Sequence, residues 1–237
     1  MNNLNKLQIT LLCSLLLAVA ACGSRSTGDS TASSPSTTTT APFTASADPR
    51  ADMVKAMQAS LDAKSYRSRI ATTSSDGHNN NIIAEIVSPD RMHITMEMAS
   101  GRGTVKREMI YIGKESYERA GDAPWQKGSL DMSDMFSQFR DPKLIDAIAQ
   151  KAEVKYLGAD TLDGAPMLIY QYKIKDVLGP GKDAVSKIWI GATDNLQHKV
   201  ETESDYADPL NTGKTIHGKT TVTFYDYDTD IKIESPM

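Results

Sequence analysis

Cysteine is almost missing from this chain of 237 residues, which contains only Cys13 and Cys22. No cysteine follows, so an internal disulfide cannot stabilise a domain formed by the rest of the chain. A domain of about 190 residues is large enough to be held together by its hydrophobic core alone. We therefore expect one folded domain without disulfides.

Long apolar stretches are missing after residue 22. A membrane-spanning helix needs roughly 20 consecutive apolar residues, whereas the run LLCSLLLAVAAC at residues 11–22 is shorter. It follows a polar start that carries Lys6, and it ends in the small residues Ala20 and Ala21 just before Cys22. This arrangement predicts a secretory signal peptide over residues 1–21.

The end of the signal, Val19-Ala20-Ala21-Cys22, resembles the lipobox of bacterial lipoproteins. The resemblance implies that Cys22 is acylated and becomes the new N-terminus, which would anchor the protein to a membrane. Several acyl chains make such attachment stable, since each buried methylene contributes about 0.8 kcal/mol. The alternative is a free thiol beyond an ordinary cleavage site. Gly23 takes the place of the aspartate that retains some lipoproteins in the inner membrane, so we expect the periplasmic face of an outer membrane or, where there is one membrane, its outer face.

An excess of basic residues is also lacking. The formal net charge is −4, and loss of Lys6 with the signal makes it −4 − 1 = −5. Nucleic-acid binding needs a basic surface, so we expect no nucleic-acid partner. The next stretch, residues 22–48, is rich in serine, threonine, alanine and proline, and it has almost nothing to bury. We predict a disordered tether there.

The remaining residues, 49–237, carry two kinds of apolar pattern. Met53, Met57 and Leu61 recur at steps of four, which predicts a helix over residues 49–64. Alternating apolar and polar residues with turn signals between them then predict antiparallel strands. The predicted strands are 65–74, 81–87, 91–98, 104–112, 116–120, 153–158, 166–175, 184–190, 197–206, 216–225 and 231–234, with helical stretches at 131–139 and 142–151.

This order of elements predicts an α+β domain built on one large antiparallel sheet of about ten or eleven strands. So many strands rarely form a flat sheet, so we expect it to curve into a half-barrel with the helices on its concave face. Two or three helical segments are few for so broad an apolar face, which suggests a cavity. The apolar side chains expected to contact a ligand there are Met53, Met57, Leu61, Met92, Ile94, Met96, Met98, Leu168, Tyr170, Ile188 and Ile190. The alternative is that they form an ordinary core.

Several short phrases follow one another in a recognisable order. They are SPDRM at 88–92, IYIG at 110–113, WQK at 125–127, KIWI at 187–190, QHKVE at 197–201, FYDY at 224–227 and IKIESP at 231–236. Together with the lipobox and the tether, they resemble the superfamily of LolA/LolB and LppX/LprG, bacterial lipoproteins and lipoprotein-localisation factors. The resemblance implies a half-barrel covered by helices, with space between them for lipid tails. It therefore implies a lipid or lipidated ligand, which such a protein binds and can move between membranes. We expect a monomer.

Residues for covalent or metal chemistry are not arranged in known motifs. His78, His93, His198 and His217 are scattered, without a metal-ligand spacing. Asp226, Asp228 and Asp230 begin like a calcium loop, but its glycine and glutamate positions are not filled. We expect no enzyme activity, metal or cofactor. The competing hypothesis is a module of the same fold that binds another envelope protein and fills its concave face with its own side chains.

Overall fold

A computed structural model describes residues 43–77, 79–100, 103–134, 142–175, 183–207 and 215–236. Several predictions lie outside the described residues. They are the signal peptide, Cys22 and the tether up to residue 42, and most of the predicted helix 131–139.

Eleven strands form one curved, open antiparallel sheet, as predicted. The strands are β1 (Ser65–Ser74), β2 (Asn79–Val87), β3 (Arg91–Ser100), β4 (Gly103–Ile112), β5 (Glu115–Ala120), β6 (Gln126–Lys127), β7 (Ala152–Leu162), β8 (Ala165–Ile174), β9 (Ala184–Gly191), β10 (Gln197–Ala207) and β11 (Thr215–Tyr225). Their order across the sheet is β6-β5-β4-β3-β2-β1-β11-β10-β9-β8-β7. The sheet thus consists of two antiparallel meanders, β1–β6 and β7–β11, which are joined where β1 pairs with β11.

Tight turns connect neighbouring strands where the sequence predicts them. The turn between β7 and β8 contains Asp163 and Gly164, both with positive φ, of 53° and 83°. Two consecutive residues with positive φ match the right-handed twist of a hairpin, and aspartate followed by glycine suits that geometry. The strand β7 runs to Leu162, four residues beyond the predicted end at residue 158, because a bulge between Tyr156 and Gly158 lets the pairing with β8 continue.

Two helices are described. Helix α1 (Pro49–Asp62) begins after Asp48, whose carboxylate accepts hydrogen bonds from the backbone N–H groups of Arg50 and Ala51. Proline at the first helical position needs no such partner, so the residues at this end are suited to a helix start. Helix α2 (Pro142–Lys151) has the predicted bounds. Neither described helix has the length and apolarity of a membrane-spanning segment.

The predicted last strand, residues 231–234, is wrong. These residues pair with no strand; instead, they cross the convex face of the sheet, where Ile231 and Ile233 are buried against Ile110 and Tyr117. Arg91 fixes this segment by donating a hydrogen bond of 2.6 Å to the carbonyl oxygen of Ile233. The alternating pattern of residues 231–234 thus arises from burial against a sheet face, which produces the same period of two as a strand.

Candidate functional site

The concave face is sealed over β8 and β9. Four side chains on this face of β8, Leu168, Tyr170, Tyr172 and Ile174, are buried. Their neighbours on β9, Ala184, Ser186, Ile188 and Ile190, are buried as well, from one end of the strand to the other. The main apolar core, which also includes Met53, Ala56, Met57 and Leu61 of α1, lies here. This half of the concave face is filled by the protein's own side chains.

Helix α1 is fixed to the sheet along its whole length. Near its start, Arg50 donates a hydrogen bond of 2.9 Å to the carbonyl oxygen of Ala152. In its first turn, the buried carboxylate of Asp52 accepts a hydrogen bond from the Tyr170 hydroxyl. Near its end, the Ser60 hydroxyl accepts a hydrogen bond of 2.8 Å from the backbone N–H of Gln197. These bonds lie at both ends of α1, and they hold the helix in place over β8 to β10.

The segment before α1 is also bound to the fold. The backbone N–H of Phe43 donates to the carbonyl oxygen of Ala192, and the backbone N–H of Ser46 donates to the Asp52 carboxylate. The ammonium group of Lys55 lies 5.3 Å from the centre of the Phe43 ring. Residues 43–48, which fall in the predicted tether, therefore have defined contacts with α1 and with the turn after β9.

The concave face over β3 and β4 is different, because it becomes open along the strands. On β3, Met92 and Ile94 are buried, whereas Met96 and Met98 are half-buried. On β4, Tyr111 is buried and Met109 and Arg107 are half-buried, and Val105 is 48% exposed. Exposure therefore rises on both strands toward the end at which the β3–β4 hairpin lies. The result is a patch rich in methionine that the described residues cover only in part.

Three tyrosines buried on the concave face, Tyr111, Tyr170 and Tyr172, are held in neutral form. Burial, followed by the hydrogen bond to Asp52, raises the pKa of the Tyr170 hydroxyl far above its ordinary value. Burial likewise raises the pKa of Tyr172, and it raises the pKa of Tyr111 to about 12. Neutral hydroxyls of this kind stabilise the core through hydrogen bonds, and they supply no acid or base near neutral pH.

Charged side chains form a chain of contacts on the opposite, convex face. Arg67 bridges Asp226 and Glu85 at 2.7 and 2.8 Å, and His93 lies 3.1 Å from Glu85 and 3.7 Å from Glu108. Arg119 and Lys106 lie 2.9 and 3.1 Å from Glu108. These pairs connect the neighbouring strands from β1 to β5. Among the described residues, no group of three histidine, cysteine, aspartate or glutamate side chains can hold a metal ion.

The side chains predicted from the sequence to contact a ligand divide into two groups. Met53, Met57, Leu61, Met92, Ile94, Leu168, Tyr170, Ile188 and Ile190 are buried in the protein core. Met96 and Met98 reach the open patch. The sequence did not indicate that Asp52 and Ser60 form hydrogen bonds with the sheet or that Arg107 lies in the open patch. A serine at position 60, directly beside the apolar stripe of α1, is the one local signal of a polar contact with the sheet.

Comparison with solved structures identifies the fold. No family model matches this sequence, and no curated protein matches it either. The lipoprotein LppX from Mycobacterium tuberculosis is similar over 78% of this chain and 97% of its own, with a TM-score of 0.55 and 11% identity. LprF from Mycobacterium bovis is similar over 80% of this chain and 98% of its own, with a TM-score of 0.52 and 13% identity.

The fold is that of LppX and LprF. This confirms the architecture that the ordered phrases of the sequence suggested, an LppX-like sheet with few helices. At 11% and 13% identity the likeness is one of backbone architecture. In this chain the concave face is unevenly covered, being sealed over β8 and β9 and open at the end of β3 and β4.

Proposed function

We propose that this protein is a lipid-anchored protein of the bacterial envelope that binds the acyl chains of a lipid or lipidated ligand on its concave face. The observation that carries the proposal is the part-open patch at the ends of β3 and β4, where Met96, Met98 and Met109 are half-buried on a sheet of LppX-like fold. Methionine side chains are unbranched and polarizable, so they adapt to irregular apolar partners.

The driving force for binding is the removal of apolar surface from water. Acyl chains that enter the patch gain roughly 25 cal/mol for each Å² of apolar area that they bury. Such binding needs no covalent step. Helix α1 stays in place, because three hydrogen bonds fix it to β7, β8 and β10. Acyl chains therefore enter the patch from the hairpin end of β3 and β4. The half of the concave face over β8 and β9 stays filled by the protein's own side chains.

The anchor belongs to the same proposal. Acylated Cys22 would hold the protein at the membrane surface, and the name of LppX describes it as a lipoprotein. From Cys22 to Phe43 there are 43 − 22 = 21 residues of tether. A flexible chain of that length has an end-to-end distance of about 25 Å. The domain can thus turn either end of its sheet toward the membrane while it acts as a monomer.

The test is native mass spectrometry of the chain from Cys22 onward, with Cys22→Ser to keep it soluble, purified from a bacterial host. We expect a lipid adduct that organic extraction releases and identifies. The double substitution Met96→Asn and Met98→Asn makes the patch polar without adding charge, so it should reduce the adduct severalfold. Thr95→Asn, on the convex face of the same strand, is the matched control and should leave the adduct unchanged.

A second candidate is a module that binds another envelope protein. The sealed half of the concave face favours it, because nine of the eleven expected ligand contacts are buried among the protein's own side chains. A clean mass without adduct, together with no uptake of fatty-acid or phospholipid probes, would favour this module over the lipid-binding protein.

A further inference from the structure

Arg107 is the unusual side chain of the open patch. It lies on the concave face of β4, directly across from Met96 of β3 and Ala120 of β5. Its neighbours two residues away on the same face of β4 are Val105 and Met109. A guanidinium is permanently charged, so this arrangement places a fixed positive charge among methionine, valine and alanine side chains.

The charge of Arg107 is not neutralised within the part of the chain that the structure describes. Arg107 is half-buried, yet it has no carboxylate within 4.0 Å and no hydrogen-bond partner among those residues. Every other arginine of the neighbouring strands has a partner: Arg67 has Glu85, Arg69 has Asn81, Arg91 has Ile233 and Arg119 has Glu108. Glu118 shares the concave face but lies across from Met109, and it forms no ion pair with Arg107.

A ligand that carries a negative charge can pair with Arg107, which no carboxylate of the described residues does. The surrounding apolar patch indicates the kind of ligand, because a ligand that covers the patch must carry an apolar part attached to its anionic group. Arginine binds phosphate through two parallel N–H donors, which adds geometric specificity to the charge. An acylated phosphate satisfies both requirements of the site.

We infer that Arg107 holds the phosphate of an anionic lipid whose acyl chains lie over Met96, Met98 and Met109. The inference rests on the proposed function and narrows it from lipids in general to lipids with an anionic headgroup. In this arrangement, the headgroup lies at Arg107, and the acyl chains lie beside it over the open ends of β3 and β4.

The experiment offers two lipids with the same acyl chains. The unlipidated chain from Cys22, with Cys22→Ser, is mixed with phosphatidylcholine vesicles that contain equal amounts of dioleoylphosphatidylglycerol and dioleoylglycerol. Lipids bound to the protein are then counted by native mass spectrometry. We expect about a tenfold preference for phosphatidylglycerol, the range that one charge-assisted contact supports.

Substitution of Arg107 separates this inference from the proposed function. Arg107→Gln should abolish the preference between the two lipids, and Arg107→Lys should retain part of it. Arg69→Gln, an exposed arginine on the convex face, is the matched control and should keep the full preference. Thermal unfolding followed by circular dichroism verifies that each variant is folded.

The outcomes are distinct. If Arg107→Gln takes up both lipids in the same ratio as the unsubstituted chain, the role of Arg107 is wrong and acyl-chain binding stands. If inorganic phosphate alone binds through Arg107 and the chain shows no preference between the lipids, Arg107 is a small-anion site and the inference is wrong. If no chain takes up either lipid, both the inference and the proposed function are wrong.

Discussion

The hydroxyl of Tyr170 donates a hydrogen bond of 2.9 Å to the carboxylate of Asp52. The bond joins the middle of β8 to the first turn of α1, which are 118 residues apart in the sequence, and both side chains are buried. Asp52 also accepts the backbone N–H of Ser46. One carboxylate therefore fixes the sheet, the helix and the segment that precedes the helix.

Replacing Tyr170 tests how much this bond contributes. Tyr170→Phe leaves a buried carboxylate with one partner fewer, which typically costs about 1–3 kcal/mol. We expect that loss in the free energy of unfolding measured by urea denaturation. Tyr156→Phe is the control, since the Tyr156 ring packs 5.2 Å from Tyr170 but is partly exposed, and its effect should stay within about 0.5 kcal/mol. Equal stabilities of the two variants would contradict the account.

Glu108 is the centre of the charged contacts on the convex face. Burial raises its pKa, but hydrogen bonds from Arg119 and Lys106 outweigh burial and hold the pKa below its ordinary value. A carboxyl with a lowered folded-state pKa contributes stability above its unfolded pKa, and that contribution is lost as the pH falls through the folded value.

Glu108→Gln should therefore destabilise the protein by about 1–3 kcal/mol at pH 7. The difference from the unsubstituted chain should shrink below pH 4.5, where the unfolded carboxyl is protonated. Urea denaturation at several pH values measures both. Glu203→Gln, at an exposed position with a loose contact to Lys219, should change little at any pH. If the destabilisation caused by Glu108→Gln does not vary with pH, the charge of Glu108 does not contribute to stability.

Because the Tyr111 hydroxyl is buried, we expect the free energy of unfolding to fall at high pH. Burial, with a smaller contribution from Glu118, raises its pKa to about 12. Its stabilising contribution is complete below the unfolded pKa near 10 and is lost as the pH rises toward the folded value. Relative to Tyr111→Phe, the chain should lose about 2 kcal/mol between pH 9 and pH 12. Parallel stability curves for the two proteins would contradict the burial of this hydroxyl.

The segment at residues 231–234 should stabilise the convex face. Ile233→Ala removes a buried side chain from the cluster with Ile110, Tyr117 and Ile231, at a cost of about 2–5 kcal/mol. Ile233→Val should cost only about 0.5–1.5 kcal/mol. Thermal and urea unfolding measure the difference between them. If the alanine variant is as stable as the valine variant, the segment is not packed against the sheet.

The strands were predictable because local rules determine them. The alternation from Met92 to Met98, the turn at Asp163 and Gly164 and the start of α1 at Pro49 each depend on neighbouring residues alone. The strand predicted at residues 231–234 was wrong because alternation reports burial of one face, and it does not reveal whether a neighbouring strand is paired.

The candidate site was predictable only in part. Met92 and Met98 are equivalent in the sequence pattern of β3, yet one is buried and the other half-buried. No local pattern indicates which end of β3 is covered by residues that are distant in the sequence. For the same reason the sequence did not reveal that Arg107 has no carboxylate partner among the residues that the structure describes.

The central claim is that acyl chains lie over the open ends of β3 and β4. The most direct measurement is photo-crosslinking of the Cys22→Ser chain with a fatty acid that carries a diazirine near the end of its acyl chain, followed by mass spectrometry of the peptides. The account predicts labels between Met92 and Met109, which decrease in the Met96→Asn and Met98→Asn double variant. Labels confined to β8 and β9, or to the convex face, would contradict it.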